Sequence, residues 1–407
     1  MKRVGIITHY YDSLNYGGNL QAYALTQFLI EHGYAAEQIS FVFKKNPDTL
    51  PTLSLSSFRK KLLQKGIRGC YRALRSRTWG KISRRRFIMK RDAADRADNV
   101  TERRKKAFAL FSNDMIAHSE RVYTPQTVVE CVKDYDAFIT GSDQVWNFRM
   151  YFKAFYLDFV PSDKIKLSYA ASVASPMLTH DQKMAVQKSL ADYKAVSLRE
   201  KNALAMMTPL CQTEPVHVLD PTLLFQRQDW EKVCSERVVA EDYVFCYFLG
   251  NNKAARRAAK CYAAKRGLKT VYIAFASGDY NPTDDEGRGD LRLVDVSPQD
   301  FISLVKYADR IFTDSFHAVV FSYLFEKQFY VFNRSKAGEM STRITDITAL
   351  FGASERFCQG KKKEDIAYIE SLDDLDYSAE NAELTKKRQE SIDFLLTNLG
   401  DENETQS

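Results

Sequence analysis

The residues whose types could do chemistry gather at four places, each where a strand-like run gives way to a helix-like one. The first is "THYYDSLNYGGNLQ", Thr8 to Gln21, between "RVGII" and "AYALTQFLIEHG". It contributes His9, Asn15, Gly17, Gly18, Asn19 and Gln21. One glycine and one cap residue close most strand-to-helix turns, so two glycines, two asparagines and a glutamine exceed the structural need. Bare backbone N–H groups at a helix N-terminus suit an anion or a sugar hydroxyl; a Gly turn with an Asn cap is the plain alternative. The spacing is neither GxGxxG nor a Walker loop, which excludes a dinucleotide site there.

The second place is "FITGSDQVWN", residues 138–147. Gly141, Ser142, Asp143, Gln144 and Asn147 form an acid-bearing loop, and Trp146 is either an aromatic platform for a sugar face or a core residue. Asp143 reads as a base or as a turn cap. The third is "AVSLREKNAL", where Arg199 and Lys201 follow a buried-looking strand. A guanidinium there can grip a carboxylate or phosphate in two-pronged fashion, or simply pair with Glu200. The fourth, "RIFTDSFHAVVFSYLFE", is the most telling. A strand ends at Asp314 and His317 starts an apolar helix, a position suited to general acid–base work or phosphate binding. Downstream, "FNRSKAGEMSTRI" offers Arg334, Lys336 and Arg343 as a basic loop able to close over an anion.

Positioning these residues requires two series of βα units, hence parallel sheets. In the first series the strand candidates are "VGIITHY", "QISFVF", "AFITGS", "LSYAAS", "AVSLRE" and "VHVLD", with a helix after the first and another in "TPQTVVECVKD". The polar "RQDWEKVCSERVVAEDY" crosses to the second series: "YVFCYFLG", helical "AARRAAKCYAAKRG", "TVYIAFA", helical "SPQDFISLVKYA", "RIFTD", helical "FHAVVFSYLFE" and "FYVFN". Ser297 and Asp300 in "SPQD" form a capping signal. The expected division is a first lobe over 1–230, a second over 242–375 and a charged helical tail over 376–407. Ligands in such sheets bind beyond the carboxyl ends of the strands.

A chain of 407 residues with 45% apolar content suits two packed cores. It opens directly on a strand, with no apolar signal core, and its longest apolar run, "AVVFSYLF", is far short of a membrane span. A cytoplasmic location is expected. Seven cysteines without CxxC or Cys/His spacing argue against a disulfide framework or zinc site, and no metal or cofactor is expected. The net charge of +7 is uneven: Arg59 to Lys106 holds 19 Lys and Arg against Asp92, Asp95, Asp98 and Glu102, so the rest of the chain is acidic. This block reads as a basic helical insertion in the first lobe. Its cations alternate with Phe58, Leu62, Leu63, Ile67, Tyr71, Leu74, Trp79 and Ile82, several at three- and four-residue spacing. That is the pattern of a solvated insertion or of a helix lying on the anionic inner face of the cell membrane. Nucleic acid is not an expected partner.

Taken together and in order, "NYGGNLQAYAL", "ITGSDQVWN", "SLREKNAL", "VLDPTLLF" and "DRIFTDSFHAVVFSYLFEKQFYVF" resemble the polysaccharide pyruvyl transferase family. The resemblance runs from about residue 4 to about residue 351, outside the basic block. It implies two Rossmann-like lobes in a glycosyltransferase B-type arrangement. It also implies transfer of pyruvate from phosphoenolpyruvate to two hydroxyls of a sugar, giving a cyclic ketal on a cell-surface polysaccharide or its lipid-linked precursor. His317 then corresponds to the family's histidine of donor binding and catalysis, and Arg199 to its donor-holding arginine. Many members carry an arginine two residues before the histidine, where this chain has Ser315. The donor's charge then falls to Arg334 and Arg343. His317 takes the acid role, with Asp143 or His9 assisting the sugar hydroxyl, and "NYGGNLQ" meets the acceptor or the donor's edge. Two rivals stand beside this reading: a nucleotide-sugar glycosyltransferase of the same architecture, with Asn251 and Asn252 of "YFLGNN" serving the nucleotide, and a non-catalytic glycan-binding protein.

Overall fold

In β1 (Arg3–Ile7) every residue after the first is buried, the mark of a central parallel strand rather than a half-solvated one. A computed structural model describes residues 1–43, 89, 99–148, 152–173, 178–250, 252–274, 276–277, 279–280, 289–333, 341–358 and 362–400. β1 pairs in parallel with β2 (Ala35–Gln38) and β3 (Ala137–Thr140), and β4 (Ile165–Ser168) completes a sheet of order β2-β1-β3-β4. Single parallel bridges carry it on toward the short pair β5 (Ser197–Leu198) and β6 (Val216–His217). The second strand begins earlier than the expected 38–43. α1 (Tyr16–Glu31) ends just before Gly33, whose φ of 85° turns the chain straight back beside β1, so pairing starts at Ala35. Residues 124–134 form a 3-10 helix over Val128–Asp134 rather than an α-helix.

The second lobe is a six-stranded parallel sheet built from β7 (Tyr243–Tyr247), β8 (Lys269–Ile273), β11 (Leu291–Leu293), β12 (Arg310–Thr313), β13 (Gln328–Phe332) and β14 (Phe357–Cys358). Its order, β11-β8-β7-β12-β13-β14, places the topological switch point between β7 and β12. A small hairpin of β9 (Ala276–Ser277) and β10 (Asp279–Tyr280) follows β8. The sequence's capping signal is realised: Ser297 accepts from Asp300 N, and Asp300 accepts from Ser297 N at 2.9 Å.

One hydrophobic core runs through both lobes, and each lobe has a separate cluster of its own on the other side of its sheet. Tyr16 stacks on Phe301 at 4.7 Å between centroids and donates to Val296 O at 2.9 Å. α2 (Val100–Met115), at the end of the basic block, bridges the lobes: Arg103 pairs with Asp295 at 2.8 Å, and Arg104 donates to the carbonyls of Val294 and Ala274. Both cations of the block tie the lobes together, and Arg104 is buried and so no part of a surface patch; residues 59–88 and 90–98 of the block lie outside the described residues. No described helix is long and apolar enough to cross a membrane.

The charged tail is also a structural element. Its helix, Ala382–Leu399, buries Leu384, Phe394, Leu395 and Leu399 on one face and returns to the first lobe. There Ser391 Oγ accepts from Leu219 N at 2.9 Å and Arg388 donates to Leu223 O at 2.7 Å.

Candidate active site

At the head of α1, Asn15 occupies the N-cap position, but its side chain does not cap. Its Nδ2 donates instead to Asp143 Oδ2 at 2.9 Å. The first-turn N–H groups of a helix have no intrahelical partner, and the amide that would ordinarily take one is committed elsewhere. Gly17 is where the other lobe touches down. A Cβ there would stand 1.9 Å from His317 Nδ1, so the imidazole lies directly on the helix backbone. At Gly18 a Cβ would stand 2.9 Å from His9 O.

Asn19 and Gln21 do not face a ligand as expected. Both are fully buried with their amides satisfied internally. Asn19 bonds to Ser13 O and Asn15 O and accepts from Ser112 of α2. Gln21 bonds to Thr8 and Gly18 O and accepts from Ser142 N at 3.0 Å, which fixes the loop after β3. In that loop Gly141 has φ 124°, and a Cβ on it would meet Tyr169 O at 2.1 Å, so only glycine fits. Asp143 follows in the left-handed region at φ 62°, aimed back at Asn15. Trp146 is not a sugar platform. It is wholly buried, stacked on Tyr156 at 5.4 Å, with its indole N–H given to Phe155 O.

The charged centre joins all four sequence clusters to a fifth. Arg199 Nη1 lies 2.7 Å from Asp220 Oδ2, with Asp143 at 3.7 Å and Glu200 at 3.6 Å. Its guanidinium sits over the Phe316 ring, 4.8 Å from the centroid. The same Asp220 oxygen is 3.5 Å from His317 Nε2 and accepts from Ser142 Oγ at 3.2 Å. Its other oxygen accepts from Thr222 N and Oγ1. Arg343 reaches Glu200 at 4.0 Å. All of these charged groups are buried. Burial works to raise the Asp220 pKa, but His317 and Arg199 overcome it and hold the carboxyl far below the usual range. Asp143 is likewise pushed up by burial and brought below its ordinary value by Arg199, His317, His9 and Arg343. Arg199 is discouraged by burial and held charged by its three carboxylates. Three carboxylates against two guanidiniums leave one negative charge at this centre, beside the His317 imidazole.

Of the other candidates, Ser315 is the N-cap of the helix Phe316–Leu324, accepting from Ala318 N. Asp314 accepts from the N–H groups of Leu249 and Gly250 at 2.7 and 2.8 Å. His9 is packed between Phe43 and Phe155, and burial drives its pKa down to about 4 against a smaller opposing pull from Asp143. It lies outside the lining of the cavity beside His317, whereas Asp143 is part of that lining. Arg334 and Lys336 lie outside the described residues. The sequence reading missed Asp220 as a member of the centre and had Glu200 only as the plain alternative partner of Arg199, a pairing the structure contains. The signal for Asp220 was present: an Asp–Pro step at the end of "VHVLD".

A cavity of about 320 Å³ opens on this centre, lined by Asn15, Tyr16, Asp143, Gln144, Arg199, His317 and Arg343, with Tyr247, Leu249 and Phe332 of the second lobe. No group of His, Cys, Asp and Glu among the described residues is arranged to hold a metal ion.

Comparison with known proteins adds two findings. The sequence model of the family described as polysaccharide pyruvyl transferase matches residues 15–336. No curated protein matches the chain. Among solved structures, the chain is similar to the UDP-GlcNAc 2-epimerase of Methanocaldococcus jannaschii, with TM-score 0.58 and 10% identity over 97% of this chain and 99% of that one. It is also similar to the Neisseria meningitidis UDP-GlcNAc 2-epimerase bound to UDP-GlcNAc, with TM-score 0.51 and 10% identity over 98% and 100%. At such identity the likeness speaks for the fold: two Rossmann-like lobes in a glycosyltransferase B-type arrangement.

Proposed function

Because the chain belongs to the polysaccharide pyruvyl transferase family, we propose that it transfers pyruvate from phosphoenolpyruvate to two hydroxyls of a glycan, forming a cyclic ketal and releasing phosphate. The observation that carries this reading is the His317–Asp220–Arg199 line, which brings the second lobe's histidine onto the first lobe's helix N-terminus beside a small cavity. The donor's carboxylate and phosphate call for cations and helix N-termini. Arg343 and the first turns of α1 and Phe316–Leu324 answer that call, with Arg334 as a further candidate.

In the proposed reaction His317 gives a proton to C3, leaving an oxocarbenium-like centre at C2. One hydroxyl oxygen bonds to C2, and the second follows as the C2–O bond to phosphate breaks. Of the two protons the hydroxyls lose, one restores His317 and the other leaves on phosphate. Asp143 accepts a hydroxyl proton in passing. Asp220, permanently ionised, is a positioning residue: it orients the imidazole and stabilises its charged form.

Arg199 contributes differently from the donor-holding role the resemblance implies. Enclosed by Asp143, Glu200 and Asp220, it keeps three buried carboxylates together. The nucleotide-sugar alternative is less favoured. The Leu249 and Gly250 N–H groups at the end of β7 are taken by Asp314, and Asn252 is spent capping the helix Lys253–Arg266.

The test is phosphate release from phosphoenolpyruvate in the presence of sugar acceptors. His317→Ala should abolish it while thermal stability moves little. Asp220→Asn should lower kcat and shift its pH profile, with the donor KM held. Turnover retained by His317→Ala would overturn the assignment, and thermal stabilisation by UDP-sugars but not by phosphoenolpyruvate would favour the rival.

A further inference from the structure

A second cavity, about 770 Å³, lies on the other side of the Arg199, Phe316 and Arg343 side chains, which line both spaces. It reaches Asp220, whereas the smaller cavity reaches His317, and those two side chains are 3.5 Å apart. A group bound in either space therefore comes within one side chain of the other. The larger cavity is bounded by β6 of the first lobe and by the returning helix Ala382–Leu399.

We propose that this larger cleft binds the acceptor glycan, as an uncharged polyhydroxyl chain, an inference that rests on pyruvyl transfer at the neighbouring site. Size is the first reason: a three-carbon phosphorylated acid suits the space of about 320 Å³, and a di- or oligosaccharide needs the larger one. Charge is the second. Lys201, Lys386 and Lys387 face Glu214, Glu383 and Glu390 around the cleft, and Lys387 pairs with Glu390 at 2.7 Å. Such a balanced lining offers donors and acceptors without a net field, which suits hydroxyls rather than phosphate.

His217 is the third reason. It lies partly buried in the cleft wall, and burial, helped by Lys387, lowers its pKa to about 4. Near neutral pH it is an uncharged ring; one nitrogen is engaged by the Arg199 backbone, and the other can meet a sugar hydroxyl. The wall between the spaces carries an aromatic ring, Phe316, under the Arg199 guanidinium. The returning helix thus has a purpose beyond closing the first lobe: it forms the outer side of the acceptor cleft.

The test uses Val216→Trp and His217→Ala, in the full chain. Val216 is 41% exposed at the cleft, so a larger side chain there fills it without entering the core. The probes are p-nitrophenyl glycosides of common hexoses and N-acetylhexosamines, followed by saturation-transfer NMR and by phosphate release. Saturation transfer to a glycoside in the wild type, lost in Val216→Trp, is expected. The acceptor KM should rise in both variants with the phosphoenolpyruvate KM unchanged: in Val216→Trp because the cleft is filled, and in His217→Ala about tenfold, the size of one lost hydrogen-bonding group. Equal saturation transfer or equal acceptor KM in wild type and both variants would overturn the acceptor cleft while leaving pyruvyl transfer intact. No glycoside binding by the wild type at millimolar concentration would overturn it as well. Glycoside binding sensitive to Val216→Trp, without phosphate release, would keep the cleft and remove the pyruvyl donor.

Discussion

Substitution of Gly17 by alanine should separate activity from stability without removing any side chain that does chemistry. Gly17 is a helical residue at a first turn, and alanine is favoured over glycine there by up to about 1 kcal/mol. Against that gain stands His317 Nδ1, only 1.9 Å from where the new Cβ would be. Contacts under 3.0 Å are essentially never seen, so the imidazole must retreat by at least about 1.1 Å. Overpacking of this kind costs about 1–3 kcal/mol where neighbours are strained to make room, and less if the ring swings away freely. The net change in folding free energy is therefore small, within about 2 kcal/mol of zero. The chemistry has no such compensation, because a misplacement of about 1 Å at a reacting group can cost 10²-fold in rate. The assay pairs phosphate release from phosphoenolpyruvate with thermal unfolding of the same preparation. A variant with wild-type kcat/KM would refute the reasoning, since His317 would then act from a position that does not depend on Gly17.

Arg199→Ala should act mainly on the fold: it strands Asp143, Glu200 and Asp220 in a buried site, a loss of about 3–5 kcal/mol. A raised donor KM with an unchanged melting temperature would instead return Arg199 to direct donor contact. Acid stability should decline between pH 6.5 and about 4, because His9 is held uncharged by burial in the folded state and takes up a proton in the unfolded chain across that window. His9→Phe should flatten this decline, with His217 maintaining part of it; melting temperature against pH checks the outcome, and an unaltered slope rejects it. For the basic block we expect salt-sensitive sedimentation with anionic vesicles and none with neutral ones, each cation near the surface contributing about 1 kcal/mol. Equal recovery in the supernatant under all conditions would make the block a solvated insertion.

The sequence by itself determined the two series of parallel βα units, because strands buried on both faces read as continuous apolar runs and helix starts carry local caps such as Ser297 with Asp300. It also marked where charged and polar groups collect, since strand ends are local features and "SFHAVV" places His317 at a helix start whatever surrounds it. What it could not determine is which polar residues face a ligand. Trp146, Asn19 and Gln21 look like binding residues by type, but each is buried by partners many positions away, and only their packing reveals them as supports. The same holds for Gly17 and for Asp220. Gly17 reads from the sequence as bare backbone for a ligand, and only the fold shows a histidine 300 residues on settled against it. Asp220 becomes the centre of the site because Arg199, Ser142 and His317 converge on one of its oxygens. Caps and periodicity are written within a few residues of each other, whereas a charge network is a property of distance in space, and only the folded chain sets that distance.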